Sequence, residues 1–426
     1  MIKRLLQSAS VKNAGWLIFG RIGQMVISFA VGILTARYLG PANYGVINYA
    51  LAYTAFFMAF CNLGINSVLV KELIDHPDEE GTILGSSMLL QAISSFLSVA
   101  LITSIVLLVD AGEITTIAVT VLCNFSLVVR VLESLNYWFQ SRLQSRVTAI
   151  VLLIAYAVTS AYKVILLIFQ KGVEWFAFAT TLDYLIVGIL LLLCYKKHGG
   201  ATLSWSVFAC RRILSKSTHF ILPSLMVSIY GYADKFMLKQ MLSESDVGYY
   251  ATATAVCGMW TFVLSAVIDS MYPSIMEAHK KDRQLYEKKN RQLYAIVFYF
   301  AIAVSVLFCI LGNWIIWFLY GENYLPAVIP LKVVTWYTSF AYLGVARNAW
   351  IVCEDKQRYL KYIYVPAAVS NILLNLVCIP IFGATGAAAA TLITQILTTL
   401  VIPFFIKDLR YNSALMIEGI LFKKIR

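Results

Sequence analysis

The chain has 426 residues, of which 60% are hydrophobic and only 13% charged, with a formal net charge of +12. Soluble domains average about 45–50% apolar and about 25% charged residues, so a water-soluble globule is excluded: there is too little polar surface to cover one. A lipid bilayer is the solvent this composition demands.

Taken in chain order, apolar runs of about 20 residues with few charges predict twelve spans, near 13–36, 43–66, 83–109, 114–136, 147–169, 174–195, 218–241, 249–275, 293–319, 327–352, 360–382 and 386–406. Long, continuously apolar runs indicate helices, because barrel strands would alternate in polarity over about 10 residues. The expected fold class is therefore an all-α integral membrane protein with twelve transmembrane helices. The connections are short, and no soluble domain is expected between them. The basic start Met1-Ile2-Lys3-Arg4 leads into the first run with no small-residue cleavage site behind it, so that span is expected to stay as an anchor.

Lys and Arg counts orient the spans. Placing the N-terminus in the cytoplasm puts 25 of them on the cytoplasmic side and only two, Arg37 and Lys171, on the other; seven more lie within spans. Both termini are expected to be cytoplasmic by the positive-inside rule. The net charge then reports topology and attraction to anionic membrane lipids; it gives no ground for nucleic-acid binding. None of the eight cysteines falls in an outer loop, so no disulfide framework is expected, and no CxxC pair points to a metal. His76, His198, His219 and His279 lack metal-ligand spacing. The sequon at Asn124-Phe125-Ser126 lies inside a span, away from any glycosylating enzyme.

Two sets of six spans that both start in the cytoplasm would be parallel repeats. Sequence echoes support a duplication: Leu39 to Gly45 in YLGPANYG corresponds to Leu242 to Gly248 in MLSESDVG. Gly172 leads after seven residues to Ala179-Thr180, as Gly383 leads to Ala390-Thr391. The expected organisation is an N-terminal lobe over 1–195, a basic cytoplasmic linker over 196–217 and a C-terminal lobe over 218–426. Seven of the nine prolines lie in the second half, where helices are expected to kink.

Within the spans the charges are Arg21, Arg130, Lys163, Lys235, Lys239, Lys332 and Arg347 against Glu133, Asp183, Asp234 and Asp269. A charge at mid-bilayer costs roughly 2.5–3.5 kcal/mol even on the lenient insertion scale, so these groups are expected to face the bundle interior, a partner or water. At about 1.5 Å of rise per residue, Arg21, Arg130, Glu133, Asp269 and Arg347 fall in the cytoplasmic third. Asp183 and Asp234 fall near the middle, and Lys163, Lys235, Lys239 and Lys332 toward the outer half. Lys239 and Lys332 are close enough to span ends to reach the headgroups, and Arg130 with Glu133 can neutralise each other across three residues. A cation excess through the depth of a bundle suits a polyanionic passenger, since Arg and Lys hold phosphate oxygens. No HExxH, GxSxG, Walker A or DxD cluster is present, and the outer loops are too short to house an external active site, so no enzymatic activity is expected.

The opening stretch KNAGWLIFGRIGQMVISFAVGILTARYLGPANYGVINYALAY, and later NILLNLVCIPIFGATGAAAATLITQ, resemble bacterial polysaccharide repeat-unit flippases, the O-antigen and capsule exporters of the multidrug/oligosaccharidyl-lipid/polysaccharide superfamily. The resemblance implies two six-helix lobes in a V-shaped bundle in the bacterial cytoplasmic (inner) membrane. It also implies alternating access for an undecaprenyl-diphosphate-linked glycan, with polysaccharide polymerase and chain-length proteins as candidate partners. On charge and depth, Arg21, Arg130, Lys163, Lys235 and Arg347 are the expected substrate contacts in a cationic cavity. Glu133, Asp183, Asp234 and Asp269 are the expected charge-tuning or coupling groups, with H⁺, Na⁺ or the substrate gradient alone as candidate drives and no cofactor. Two other readings stand beside this one. A multidrug-type cation antiporter of the same superfamily would favour an acid-dominated cavity, and a non-transporting scaffold would tolerate neutral residues at these charges.

Overall fold

A computed structural model describes residues 9–423, with side chains described from residue 23 onward except at 219, 220, 222, 223 and 230. Among the described residues the chain is helical and has no strand. Among the described residues ten helical segments are long and apolar enough to cross a membrane.

Helix α1 (Ala9–Asn62) carries the first two expected spans and breaks between them, where Gly40 adopts φ 71° and ψ 171° ahead of Pro41. That backbone region is open essentially to glycine alone. A turn at Leu63 and Gly64, both with positive φ, separates α1 from α2 (Asn66–Asp75). Helix α3 (Glu80–Val109) follows. The expected span at 114–136 is not one regular helix: α4 (Ile114–Asn124) gives way to a single turn at Ser126–Val129, a 3₁₀ stretch at Arg130–Ser134 and then α5 (Leu135–Ser141). Polar side chains engage the backbone and a neighbour here, with Asn124 Nδ2 donating to the Thr120 carbonyl at 2.7 Å and Thr54 Oγ1 to Asn124 Oδ1 at 3.2 Å. Helices α6 (Ser145–Ile168) and α7 (Val173–Lys197) complete the expected first six spans.

Helix α8 (Val207–Met241) runs without interruption from the expected linker through the expected seventh span. It carries Arg211, Arg212, Lys216, Asp234, Lys235 and Lys239 and is not one of the ten apolar segments. Helices α9 (Glu244–Lys281), α10 (Arg283–Tyr320), α11 (Val328–Cys353), α12 (Leu360–Phe382) and α13 (Ala384–Ile396) follow. A π-helical stretch at Leu397–Val401 and one turn at Ile402–Phe405 lead into α14 (Lys407–Ile420). The π-stretch sits just ahead of Pro403, whose ring nitrogen has no hydrogen for a regular helical bond.

By internal contacts the chain forms two compact units, one of Met1–Leu39 and Val46–Ser228, the other of Gly40–Gly45 and Ile229–Arg426. The first is built on a core that includes Leu69, Ile83, Leu135, Trp138 and Phe139. The basic stretch 196–217 belongs to this unit and is tied down in it. Arg212 and Lys216 both engage Glu72, which is 1% exposed, Arg212 also bonds Glu79 at 2.7 Å, and the Ser204 N–H donates to the Gly81 carbonyl at 3.2 Å. Two cations on one buried carboxylate compensate a charge that would otherwise be costly to desolvate.

The second unit has a core around Leu264, Tyr286, Leu343, Trp350 and Met416. Helix α14 docks on α10 through Arg291 Nε to Glu418 at 2.7 Å and Asn412 Nδ2 to the Tyr294 hydroxyl at 2.6 Å. At its start Asp408 accepts from the Tyr359 hydroxyl and the Lys356 ammonium, which hold its carboxyl below the usual range. Within this unit the turn at Gly40–Gly45 meets the start of α9 at van der Waals contact. A Cβ on Gly45 would fall 1.7 Å from the Glu244 carbonyl oxygen, and one on Gly248 would fall 2.1 Å from the Pro41 oxygen. These are corresponding positions in the two echoed turns, each glycine facing the backbone of the other turn, and only small residues permit such an approach.

Gly248→Ala is therefore expected to destabilise the protein by about 1–3 kcal/mol through overpacking. Gly258→Ala, where a Cβ meets nothing within 4 Å on the same helix, should leave stability unchanged or raise it. Melting temperatures of the two variants in detergent decide the matter.

Candidate functional site

The second unit gathers its polar groups on one carboxylate. Asp234 on α8 is 3% exposed, and three other helices reach it. The Tyr250 hydroxyl on α9 donates to Oδ2 at 2.6 Å, Thr391 Oγ1 on α13 donates to Oδ2 at 2.8 Å, and Asn375 Nδ2 on α12 donates to Oδ1 at 2.8 Å. Asn375 Nδ2 also reaches Asn371 Oδ1 at 3.1 Å, one helical turn away, while among the described residues no group bonds the buried Asn375 Oδ1. All three donors to the carboxylate are neutral, so they satisfy its lone pairs without neutralising its charge. The surrounding oxygens of Asp234, Thr391, Tyr250, Asn371 and Asn375 form a hard-donor set of the kind that suits a proton or a small oxygen-loving cation. Among the described residues no group of three or more His, Cys, Asp or Glu gathers for a metal.

Lys235 follows Asp234 on α8 and is partly buried. Lys239, one turn on, pairs with Glu244 at 3.1 Å. Arg347 on α11 is 2% exposed, and its Nη1 donates to the Thr398 carbonyl at 2.9 Å. Thr398 lies in the π-stretch, so the guanidinium takes a carbonyl from the irregular turn. Mid-helix π-turns frequently mark functional sites. Asp269 is exposed on α9, apart from the Asp234 cluster.

In the first unit the expected residues fall into two neighbouring pairs. Arg130 Nε donates to Glu133 Oε2 at 2.8 Å, each side chain a little over a quarter exposed. The 3₁₀ stretch explains the contact, because residues three apart eclipse in that geometry. The Arg130 guanidinium lies 4.2 Å over the Tyr184 ring, a cation–π arrangement. Thr159 Oγ1 donates to Asp183 Oδ1 at 3.0 Å, and Lys163 on α6 lies within the electrostatic reach of Asp183 on α7. Arg21 lies outside the residues whose side chains are described.

A search for charges in the spans finds Asp234 but not its partners. Tyr250, Asn371, Asn375 and Thr391 are uncharged, and single polar residues in apolar runs carry little weight in a sequence. The one available signal was Asn371 and Asn375 spaced four apart in NILLN, on one face of a helix.

Comparison with known proteins bears on this geometry. The family model described as polysaccharide biosynthesis protein matches residues 10–279. The chain is 20% identical over 413 residues to the capsular polysaccharide biosynthesis protein CapF of Staphylococcus aureus, covering 93% of this chain and 99% of that one. Among solved structures it is similar to the lipid II flippase MurJ in an inward closed conformation, with a TM-score of 0.74 at 15% identity over 96% of this chain and 92% of that one. It is also similar to an inward-facing multidrug resistance MATE family transporter of the MOP superfamily, with a TM-score of 0.68 at 14% identity over 93% and 96% of the two chains. These structures share its fold.

Asn375→Leu and Thr391→Val each remove a donor to a buried carboxylate and are expected to cost about 1–3 kcal/mol apiece. Because both serve Asp234, the double variant should deviate from the sum of the two; thermal unfolding in detergent measures both effects.

Proposed function

This chain belongs to the polysaccharide biosynthesis protein family, and we propose that it is a flippase carrying a lipid-linked oligosaccharide repeat unit from the cytoplasmic to the outer leaflet of a bacterial cytoplasmic membrane. In this reading the carrier lipid is undecaprenyl diphosphate and the product feeds O-antigen, capsule or exopolysaccharide assembly. The chain works as a transporter, not as an enzyme. Sugars and a diphosphate cannot enter hydrocarbon unaided, since each polar group stripped of hydrogen bonds costs roughly 2–7 kcal/mol. A protein path must replace those bonds at every depth.

The observation that carries the reading is the placement of ionisable groups deep within membrane-crossing helices of both units, where intramembrane charges by default mark substrate or ion routes. Within the expected spans cations outnumber acids by seven to four, which suits a diphosphate and disfavours a cationic drug as passenger. Arg21, Lys163, Lys235 and Arg347 are the candidate contacts for the anionic part of the substrate, while Arg130 is spent on Glu133. Asp234 is the best-placed coupling group: four helices share one carboxylate, three of them through neutral donors, so taking up H⁺ or Na⁺ changes the charge at their junction. Two states of that carboxylate then favour two packings of the same helices, which is the requirement for a ligand to shift a conformational equilibrium.

The test is export of lipid-linked glycan in a strain lacking its own flippase, at matched membrane abundance. The unmutated chain should restore surface glycan. Lys163→Ala and Asp234→Asn should each lower it at least tenfold while glycolipid accumulates in the inner leaflet. Full export by both variants would remove these residues from the pathway, and efflux of cationic dyes without glycan export would overturn the flippase reading.

A further inference from the structure

The first unit holds a cavity of about 190 Å³ around the Arg130–Glu133 pair, lined also by Asn62, Asn66, Gln91 and Asn136. Its volume equals that of about six waters at roughly 30 Å³ each, the scale of one sugar ring. Gln91 is 4% exposed and organises the wall: its Nε2 donates to Asn66 Oδ1 at 3.2 Å, and its Oε1 accepts from Ser134 Oγ at 2.7 Å. Other polar groups are unspent. Among the described residues the side-chain amides of Asn62 and Asn136 and the hydroxyl of Tyr137, which also lines the cavity, bond to no protein group.

The backbone is irregular on both sides of this space. Asn62 and Asn66 flank the turn at Leu63 and Gly64, where φ is 48° and 68°, and Arg130 and Glu133 lie on the 3₁₀ stretch. Broken helices at membrane depth are tolerated only where they are buried in protein or line a polar cavity, and in transporters they mark binding sites. Charge decides what kind of ligand fits. The Arg130–Glu133 pair at 2.8 Å brings one cation and one anion, so the cavity has no net attraction for phosphate or for a metal ion. It offers amides that both donate and accept together with a phenol whose ring is apolar and whose tip is polar. A ligand with many hydroxyls, no charge and an apolar ring face matches that set.

We propose that this cavity is a subsite for a single uncharged pyranose ring, a monosaccharide held by the free amides of Asn62 and Asn136 against Tyr137. The identity of the natural ligand as one sugar of the transported glycan rests on the flippase reading; the binding chemistry does not. In that role the subsite engages the glycan by hydroxyl count and ring shape, while cations elsewhere engage the diphosphate.

The test is saturation-transfer NMR on the purified full chain in detergent, titrated with free glucose, galactose, N-acetylglucosamine, N-acetylgalactosamine and, for comparison, glucuronate. At least one neutral sugar should give a saturable signal stronger than that of glucuronate. The Asn62→Ala/Asn136→Ala double variant should weaken it at least fivefold. Tyr137→Phe, which deletes one oxygen and leaves packing intact, should weaken it by a smaller factor, guarding against misfolding of the double variant. Absence of any neutral-sugar signal from the folded chain, equal signals from all variants, or preference for glucuronate would overturn the proposal. Sugar binding in micelles needs no transport. A chain that binds sugar through these groups but exports no glycan keeps the subsite and loses the flippase reading; one that exports glycan without binding sugar here loses the subsite alone.

Discussion

Every polar group that this chain places in hydrocarbon has to find its partner inside the protein, because the bilayer offers none. That requirement organises the interior of each unit. Asp234 is met by three neutral donors from three helices and Arg347 by a carbonyl from the π-stretch; outside the expected spans, buried Glu72 is met by two cations from α8. In each case a single buried group ties together elements distant in sequence. The apolar surface facing lipid supplies no comparable specificity, since one apolar side chain against lipid is much like another.

The two units meet the requirement differently. The first spends its charges in pairs, Arg130 with Glu133 and Lys163 near Asp183, and breaks its helices around an amide-lined cavity. The second surrounds a buried carboxylate with three neutral donors and has proline inside its helices: Pro273 lies inside α9, and Pro366 and Pro380 inside α12. Paired charges hold one arrangement. A carboxylate ringed by hydroxyls and amides can change protonation or take a cation with its neighbours still bonded.

A flippase of the proposed kind has two recognition problems at once, an anionic link and sugars that vary. Cations solve the first at long range with little geometric demand. The second needs hydrogen bonds of defined direction at contact, which amides on a rigid wall provide. In the proposed arrangement, separating the two jobs in space would let the sugar-reading residues change without disturbing the charge that draws the passenger in.

Composition and apolar run length alone identified a helical membrane protein, since about 20 apolar residues in a row have few other fates. The residues of YLGPANYG and NILLNLVCIPIFG were enough for the family, and the need to explain intramembrane charge singled out Arg130, Glu133, Lys163, Asp183 and Asp234. Helix continuity was not legible: propensity gives no sign that the run at 114–136 breaks into a 3₁₀ stretch, or that the basic segment 196–217 is bound to Glu72 and continues into α8. Nor were Tyr250, Asn375, Thr391, Asn62 and Asn136 legible as a set. An uncharged polar residue in an apolar run gains meaning only from what stands opposite it, and that is decided by helix packing across more than a hundred residues of chain. The sequence determines which charges must be buried; only the tertiary structure decides which neutral groups receive them, because hydrogen bonds are contacts of direction and distance that no spacing along the chain encodes.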